Sequence, residues 1–293
     1  MAEKKKLILA RHRGFCGGVR AALSALEKLL DEHSDSPVCV LHELVHNRHV
    51  TSAFAERGVR FLNDLDELPP DAVLLLGAHG VSPDTERQAR KLAKLVVDTT
   101  CPLVKARQRE AAKLGSADTL ILLGHPRHPE VVGIVGGSGA GANLVVSSAA
   151  EAEQVEVHSR PVLLTQTTFD AFELERCRGI LERRFPNLEF RGGVCSASLE
   201  RQKCVEDLAR CSDAVVVAGS AHSSNARRLC ETAERCGARG VLAEGAADLP
   251  GGLFELHRVG LTAGASTPDA DVDGMLAAFS AAGFDIENQP QEG

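Results

Sequence analysis

Cys16, Cys101 and Cys195 stand about 85 and 94 residues apart, too far for the local Cys-x-x-Cys spacing of a zinc site. To act together they must converge through the fold. Three thiolates would hold a four-iron cluster with one iron lacking a protein ligand, and an open iron can bind a substrate oxygen as a Lewis acid while the cluster delivers electrons. Spacing alone equally allows all nine cysteines to be small buried apolar residues. Gly14, Gly17 and Gly18 favour ligation, because glycine lets backbone approach a bulky group closely. Cys39, Cys177, Cys204, Cys211, Cys230 and Cys236 lie inside strands or along helix faces without polar turns beside them, and are expected to be core or surface thiols.

Four of the eleven histidines, His46, His79, His125 and His128, fall in turns after apolar runs, with Gly, Asn, Glu or Ser nearby. Histidines, hydroxyls and backbone amides at helix N-termini suit a phosphate or diphosphate. Glu130, directly after His128-Pro129, is a candidate general acid; the alternative is a first-turn carboxylate that merely favours the helix dipole. No Walker loop occurs, and the glycines at 136–141 lack dinucleotide-binding spacing. They read as a flexible loop.

Positioning these residues falls to short apolar runs alternating with helix-period stretches, the pattern of parallel α/β architecture. The strands are expected at Leu7 to Ala10, Val38 to Leu41, Ala72 to Leu76, Thr119 to Leu123, Pro161 to Leu164, Ala214 to Ala218 and Arg258 to Leu261. Helices are expected at Val19 to Leu30, Leu103 to Leu114, Phe172 to Phe185, Leu199 to Cys211 and Ala226 to Arg235. Counted from each of the three cysteines, these segments fall into register. Each cysteine opens a helix, a strand ends about 24 residues later, and a polar cluster follows: His42, Glu43, His46 and Asn47; then His125, His128 and Glu130; then His222, Ser223, Ser224 and Asn225. A second strand ends in a second polar turn, at residues 79–82, 165–168 and 262–266. Ligands collect at the carboxyl ends of such strands. The expected organisation is three similar α/β units, residues 1–100, 101–194 and 195–293, around a pseudo-threefold axis, with the N-terminal strand packing on the third unit.

With 293 residues, 44% of them apolar and neither Trp nor Tyr, the core must be built from Val, Leu, Ile and Ala. A net charge of -7 argues against a nucleic-acid surface, and no run approaches a membrane span. The reading is a cytoplasmic chain whose thiols stay reduced.

The string Arg13-Gly14-Phe15-Cys16-Gly17-Gly18-Val19, followed by His42-Glu43-Leu44-Val45-His46-Asn47-Arg48, resembles the LytB/IspH family. So do Ala78-His79-Gly80-Val81-Ser82, Thr100-Cys101-Pro102, Gly124-His125 with His128-Pro129-Glu130, Thr165-Gln166-Thr167-Thr168, Ser223-Ser224-Asn225 and Thr262-Ala263-Gly264-Ala265-Ser266. The resemblance spans nearly the whole chain. It implies a trefoil of α/β units around a 4Fe-4S cluster with an open fourth iron. The implied activity is reductive dehydroxylation of 4-hydroxy-3-methylbut-2-enyl diphosphate to isopentenyl and dimethylallyl diphosphates, the last step of the non-mevalonate isoprenoid pathway. It further implies that Cys16, Cys101 and Cys195 are ligands, that His46, His79, His128, Ser223, Ser224, Asn225 and Ser266 hold the diphosphate, and that Glu130 and Thr167 carry protons. With no flavin or nicotinamide motif, electrons are expected from a transient ferredoxin or flavodoxin.

Departures cluster after the third cysteine, where Ser196, Ser198 and Glu200 replace the family's Tyr, Thr and Asn. Ala221 and His222 stand where Lys-Asn is common, and Ile134 where Thr is. These changes spare the ligands and alter the polarity around them. They leave two alternatives open, a divergent iron–sulfur paralogue acting on another small substrate and a non-enzymatic iron–sulfur sensor.

Overall fold

A parallel strand buried on both faces selects an unbroken apolar run, and the computed structural model, which describes residues 4–290, forms strands at all seven expected runs. In chain order the elements are β1 (Lys6–Leu9), α1 (Gly17–Glu32), β2 (Val38–Leu41), α2 (Arg48–Glu56), β3 (Arg60–Leu62), β4 (Val73–Leu76), α3 (Pro83–Leu92), β5 (Leu95–Asp98), α4 (Pro102–Ala112), β6 (Asp118–Leu123), α5 (Pro129–Gly136), β7 (Ala142–Val146) and α6 (Ala149–Ala152). There follow β8 (Arg160–Thr165), α7 (Ala171–Arg184), β9 (Glu189–Phe190), α8 (Ser196–Ala209), β10 (Ala214–Ala218), α9 (Ser224–Arg235), β11 (Arg239–Ala243), β12 (Arg258–Ala263), α10 (Asp269–Ala281) and β13 (Asp285–Asn288). The fold class is α/β with three parallel sheets, as expected.

The chain divides into two compact units. The first comprises residues up to Gly17, His46–Val50 and the chain from Ser196 onward. Its sheet has the order β11-β10-β12-β1-β13, so β1 pairs with β12 on one side and β13 on the other. Register brings Ala218 opposite Ala263, which sets the turns after β10 and β12 side by side. Leu7, Val216, Leu261, Met275 and Phe279 form the apolar core on one face; Cys204, Leu208, Val215 and Leu229 pack the other.

The second unit, Gly18–Val45 and Thr51–Cys195, holds two sheets, of order β3-β2-β4-β5 and β7-β6-β8-β9. Their central strands β2, β4 and β6 are buried along their whole length, so the carboxyl ends of the strands are the places where polar side chains can collect. The helices start where capping chemistry allows: the Ser82 hydroxyl accepts from the Thr85 N–H, the Asp170 carboxylate from the Glu173 N–H, and proline opens α3, α4 and α5.

Two expectations change. The glycines at 136–141 are a packed junction: Gly136 is the last residue of α5, and a Cβ at Gly139 or Gly141 would fall on the carbonyl oxygens of Leu114 or Ser116. Close approach of backbone to backbone selects glycine there. The edge strands β3, β5, β7, β9, β11 and β13 have no counterpart among the expected runs. β13, with all four residues exposed, carries acid and amide side chains where an apolar run was the signal.

Candidate active site

Each of the three cysteines stands immediately before a helix, α1, α4 or α8. All three are half-buried. One backbone contact repeats at each. The Cys16 N–H donates to the Ala265 carbonyl at 3.1 Å, Cys101 to Ala78 at 3.0 Å and Cys195 to Thr167 at 2.9 Å. The acceptors lie in the turns after β12, β4 and β8, so in every case a cysteine is tied to the polar turn after the second strand of the preceding segment, taken cyclically. Gly18 leaves room beside Cys101, where a Cβ would come within 3.1 Å of the Sγ. This donor set of soft, half-buried thiols fits an iron–sulfur group.

The candidate acid is Glu130, in the first turn of α5 and only 1% exposed. Its carboxylate accepts from the Thr167 N–H at 2.7 Å and from the Thr167 hydroxyl at 2.8 Å. Burial pushes the carboxyl from its ordinary 4.5 up to about 7, against the opposing pull of the Thr167 hydrogen bonds and the Arg107 charge. His128 caps the same helix, its Nδ1 accepting from the Glu130 N–H at 3.2 Å, and meets His79 edge to face with ring centroids 5.3 Å apart. His125 is half-buried and its N–H donates to Gln166 Oε1.

In the first unit the N-terminus of α9 meets the turn after β12. The Ser223 hydroxyl caps the helix by accepting from the Ala226 N–H, the Ser266 hydroxyl approaches Ser223 at 3.5 Å, and the Ala265 N–H donates to Asn225 Oδ1 at 2.9 Å. Ser224 and Asn225 are 3% and 4% exposed. Their Oγ and Nδ2 have no hydrogen-bond partner among the described residues. A buried donor left unpaired is costly, so two of them at a helix N-terminus form a cradle for an anion. His46 lies half-buried between β2 and α2. Asn47, which follows it, is buried, donates to Asp271 and caps α2 at Val50.

Of the departures, Ile134 is fully buried in an apolar cluster with Leu120 and Leu164. Glu200 is exposed and pairs with His12, Ser198 is buried, and Ser196 and Ala221 are exposed. Sequence reasoning overlooked Arg107, whose Nη2 donates to the Gly193 carbonyl, two residues before Cys195. A signal existed in the Arg-Gln pair at 107–108, which recurs at 201–202 in the same place after a cysteine. Among the six remaining cysteines, burial drives the Cys39 thiol up and pushes Cys177 and Cys230 up to about 12, the behaviour of inert core thiols.

Among the described residues no helix is long and apolar enough to cross a membrane. The family model for the LytB protein matches residues 7–280. The chain is 39% identical over 279 residues to a 4-hydroxy-3-methylbut-2-enyl diphosphate reductase of Desulfotalea psychrophila, covering 94% of this chain and 88% of that one. It is 37% identical over 289 residues to the reductase of Acidothermus cellulolyticus, covering 96% and 84%. Among solved structures, the E-1-hydroxy-2-methyl-but-2-enyl-4-diphosphate reductase of Plasmodium falciparum superposes with a TM-score of 0.88 at 27% identity, over 99% of this chain and 94% of that one. With its sequence motifs, its three parallel sheets and these similarities in hand, the chain belongs to the LytB family.

Proposed function

We propose that this chain is a cytoplasmic iron–sulfur reductase that converts 4-hydroxy-3-methylbut-2-enyl diphosphate to isopentenyl and dimethylallyl diphosphates. The observation that carries the proposal is the buried Glu130–Thr167 pair, a carboxyl poised near neutrality and fixed by two hydrogen bonds. General acids work best with a pKa near the operating pH.

Cys16, Cys101 and Cys195 would hold a 4Fe-4S cluster, which when bound supplies Lewis acidity at an open iron and the two electrons of the reduction. A ferredoxin or flavodoxin docking transiently would be the source of those electrons. The substrate diphosphate is held by Ser223, Ser224, Asn225 and Ser266, with the α9 N-terminus adding its partial positive charge, and by His46, His79 and His128. Binding gives the Ser224 hydroxyl and the Asn225 amide the partners they lack. With Glu130 protonated the side-chain hydrogen bond reverses: the acid donates its proton to Thr167 Oγ as the threonine passes its own to the departing hydroxyl. The acid then reloads, and the second proton goes to the allylic carbon, so that two electrons and two protons replace the C–O bond by a C–H bond and release water. Keeping Glu130 buried reserves that proton for the substrate and keeps water from competing.

The test is anaerobic reconstitution with iron and sulfide, followed by turnover of the diphosphate with a strong one-electron reductant. Product formation that depends on all three cysteines is expected. A loaded protein with no turnover would sink the proposal.

A further inference from the structure

Two arginines repeat one geometry. Arg107 lies six residues after Cys101 on α4, and its Nη2 donates to the carbonyl of Gly193, two residues before Cys195, at 2.9 Å. Arg201 lies six residues after Cys195 on α8, and its Nη2 donates to the carbonyl of Gly14, two residues before Cys16, at 2.7 Å. Glycine adjoins both contacts for a physical reason. Gly192 has φ 153°, and a Cβ there would fall on the Arg107 guanidinium; Gly14 has φ 71°, in the region that side chains disfavour. At the third equivalent position the chain has Ala22. Thr99, two residues before Cys101, is held in another way, its N–H and hydroxyl both donating to the Leu76 carbonyl.

We propose that Arg107 and Arg201 are positioning residues that fix the approach of the Cys195 and Cys16 thiols to the iron–sulfur group, each guanidinium clamping the loop that leads to a ligand. This rests on the assignment of the cysteines as ligands. The clamp works because each loop is then anchored twice within three residues. The carbonyl two places before the cysteine accepts a charge-assisted hydrogen bond, and the cysteine N–H itself donates to Thr167 or Ala265. Little backbone freedom is left to the thiol. Arg201 makes the clamp from a rigid base, since its Nη1 donates to the Ala197 carbonyl of its own helix. Arg107 has a further consequence, because its charge also acts on Glu130, so one cation serves both the Cys195 loop and the acid.

Amide hydrogen exchange of the metal-free chain reads positioning without the cluster. Arg107→Met is expected to speed exchange across residues 192–195 about tenfold while the segment around Cys101 is unchanged. Gly192→Ala, which displaces the guanidinium, is expected to act on the same residues, and Arg107→Lys to restore part of the protection. Arg201→Met is expected to do for residues 14–16 what Arg107→Met does for 192–195; should it not fold, the Arg107 and Gly192 variants carry the test. The same proteins are then reconstituted anaerobically, and iron retained after desalting and the electron paramagnetic resonance spectrum are compared, with circular dichroism confirming the fold. Arg107→Met is expected to retain several-fold less iron and to show an altered spectrum. An unchanged value in either readout, exchange or iron retention, overturns the role of the arginines while a normally loading wild type leaves the ligand assignment standing. A wild-type chain that takes up no iron overturns both.

Discussion

Thr167 holds Glu130 with its backbone and its side chain at once, through an N–H 2.7 Å from one carboxylate oxygen and a hydroxyl 2.8 Å from the other. The same residue's carbonyl receives the Cys195 N–H. A candidate proton donor and a candidate metal ligand are thus fixed by opposite sides of a single residue, and a disturbance at either reaches the other through one peptide unit.

Glu130→Gln keeps the shape of the carboxyl, with its Oε1 still able to accept from the Thr167 N–H and its amide donating to the Thr167 hydroxyl in reverse, while the transferable proton is removed. It is expected to lower kcat by roughly 100- to 10,000-fold with iron content and diphosphate affinity unchanged. Single-turnover product formation on reconstituted protein measures this, and an unaltered rate would remove Glu130 from the proton path.

The raised pKa of Glu130 also makes stability depend on pH. Because the folded chain holds the proton up to about pH 7 and an unfolded carboxyl releases it near 4.5, the stabilisation from the buried neutral acid is complete below about pH 4.5 and is lost as pH rises through about 7. The loss amounts to roughly 3 kcal/mol. Urea titrations of the metal-free chain between about pH 5 and pH 8 should show the decline in wild type. In Glu130→Gln this component should be absent.

Ser224→Ala removes a buried hydroxyl that has no partner among the described residues. Stability should hold or rise slightly, since an unsatisfied group costs about 1–3 kcal/mol. Binding of inorganic diphosphate should weaken about tenfold, the effect of losing one hydrogen bond to a charged ligand. Calorimetric titration and thermal melts of the same preparation separate the two effects. Tighter binding, or a large loss of stability, would show that the hydroxyl has another task.

Gly18→Ala places a methyl against the Cys101 Sγ, at 3.1 Å before any shift. Because Gly18 lies within α1, alanine suits the backbone there, and the secondary structure should be unaffected. The thiol must move instead. Iron retained after reconstitution should fall several-fold, while far-ultraviolet circular dichroism stays as in wild type.

Gly139→Ala tests the packed junction. A Cβ there meets the Leu114 carbonyl, so the backbone must shift at a cost of roughly 1–3 kcal/mol, visible as a lowered melting temperature. A truly loose loop would absorb the change without effect.

What could be read from the residues follows from how local the signal is. Val73–Leu76 and Ala214–Ala218 announce buried strands because every residue in them is apolar. Glu130 stood out by its place after His128-Pro129, but its titration behaviour did not, since that depends on burial contributed by distant chain. Arg107 looks like one more charge on an amphipathic helix until Gly193, 86 residues away, is seen to accept its hydrogen bond. The cyclic tie of each cysteine to the preceding segment's turn was equally hidden. The repeat revealed equivalent positions, whereas their pairing is set by tertiary folding.

The place of β1 between β12 and β13 has a consequence for the order of assembly. During synthesis on a ribosome, Lys6–Leu9 must wait for Arg258–Ala263 and Asp285–Asn288 before either edge can pair, and Cys16 must wait for Ala265. The two later cysteines have their anchors, Ala78 and Thr167, upstream in the nascent chain. Pairing at β1 and at Cys16 is therefore completed later than that at Cys101 and Cys195, and under the proposed ligand assignment the three cysteines are in place only once the segment at 258–288 has been made.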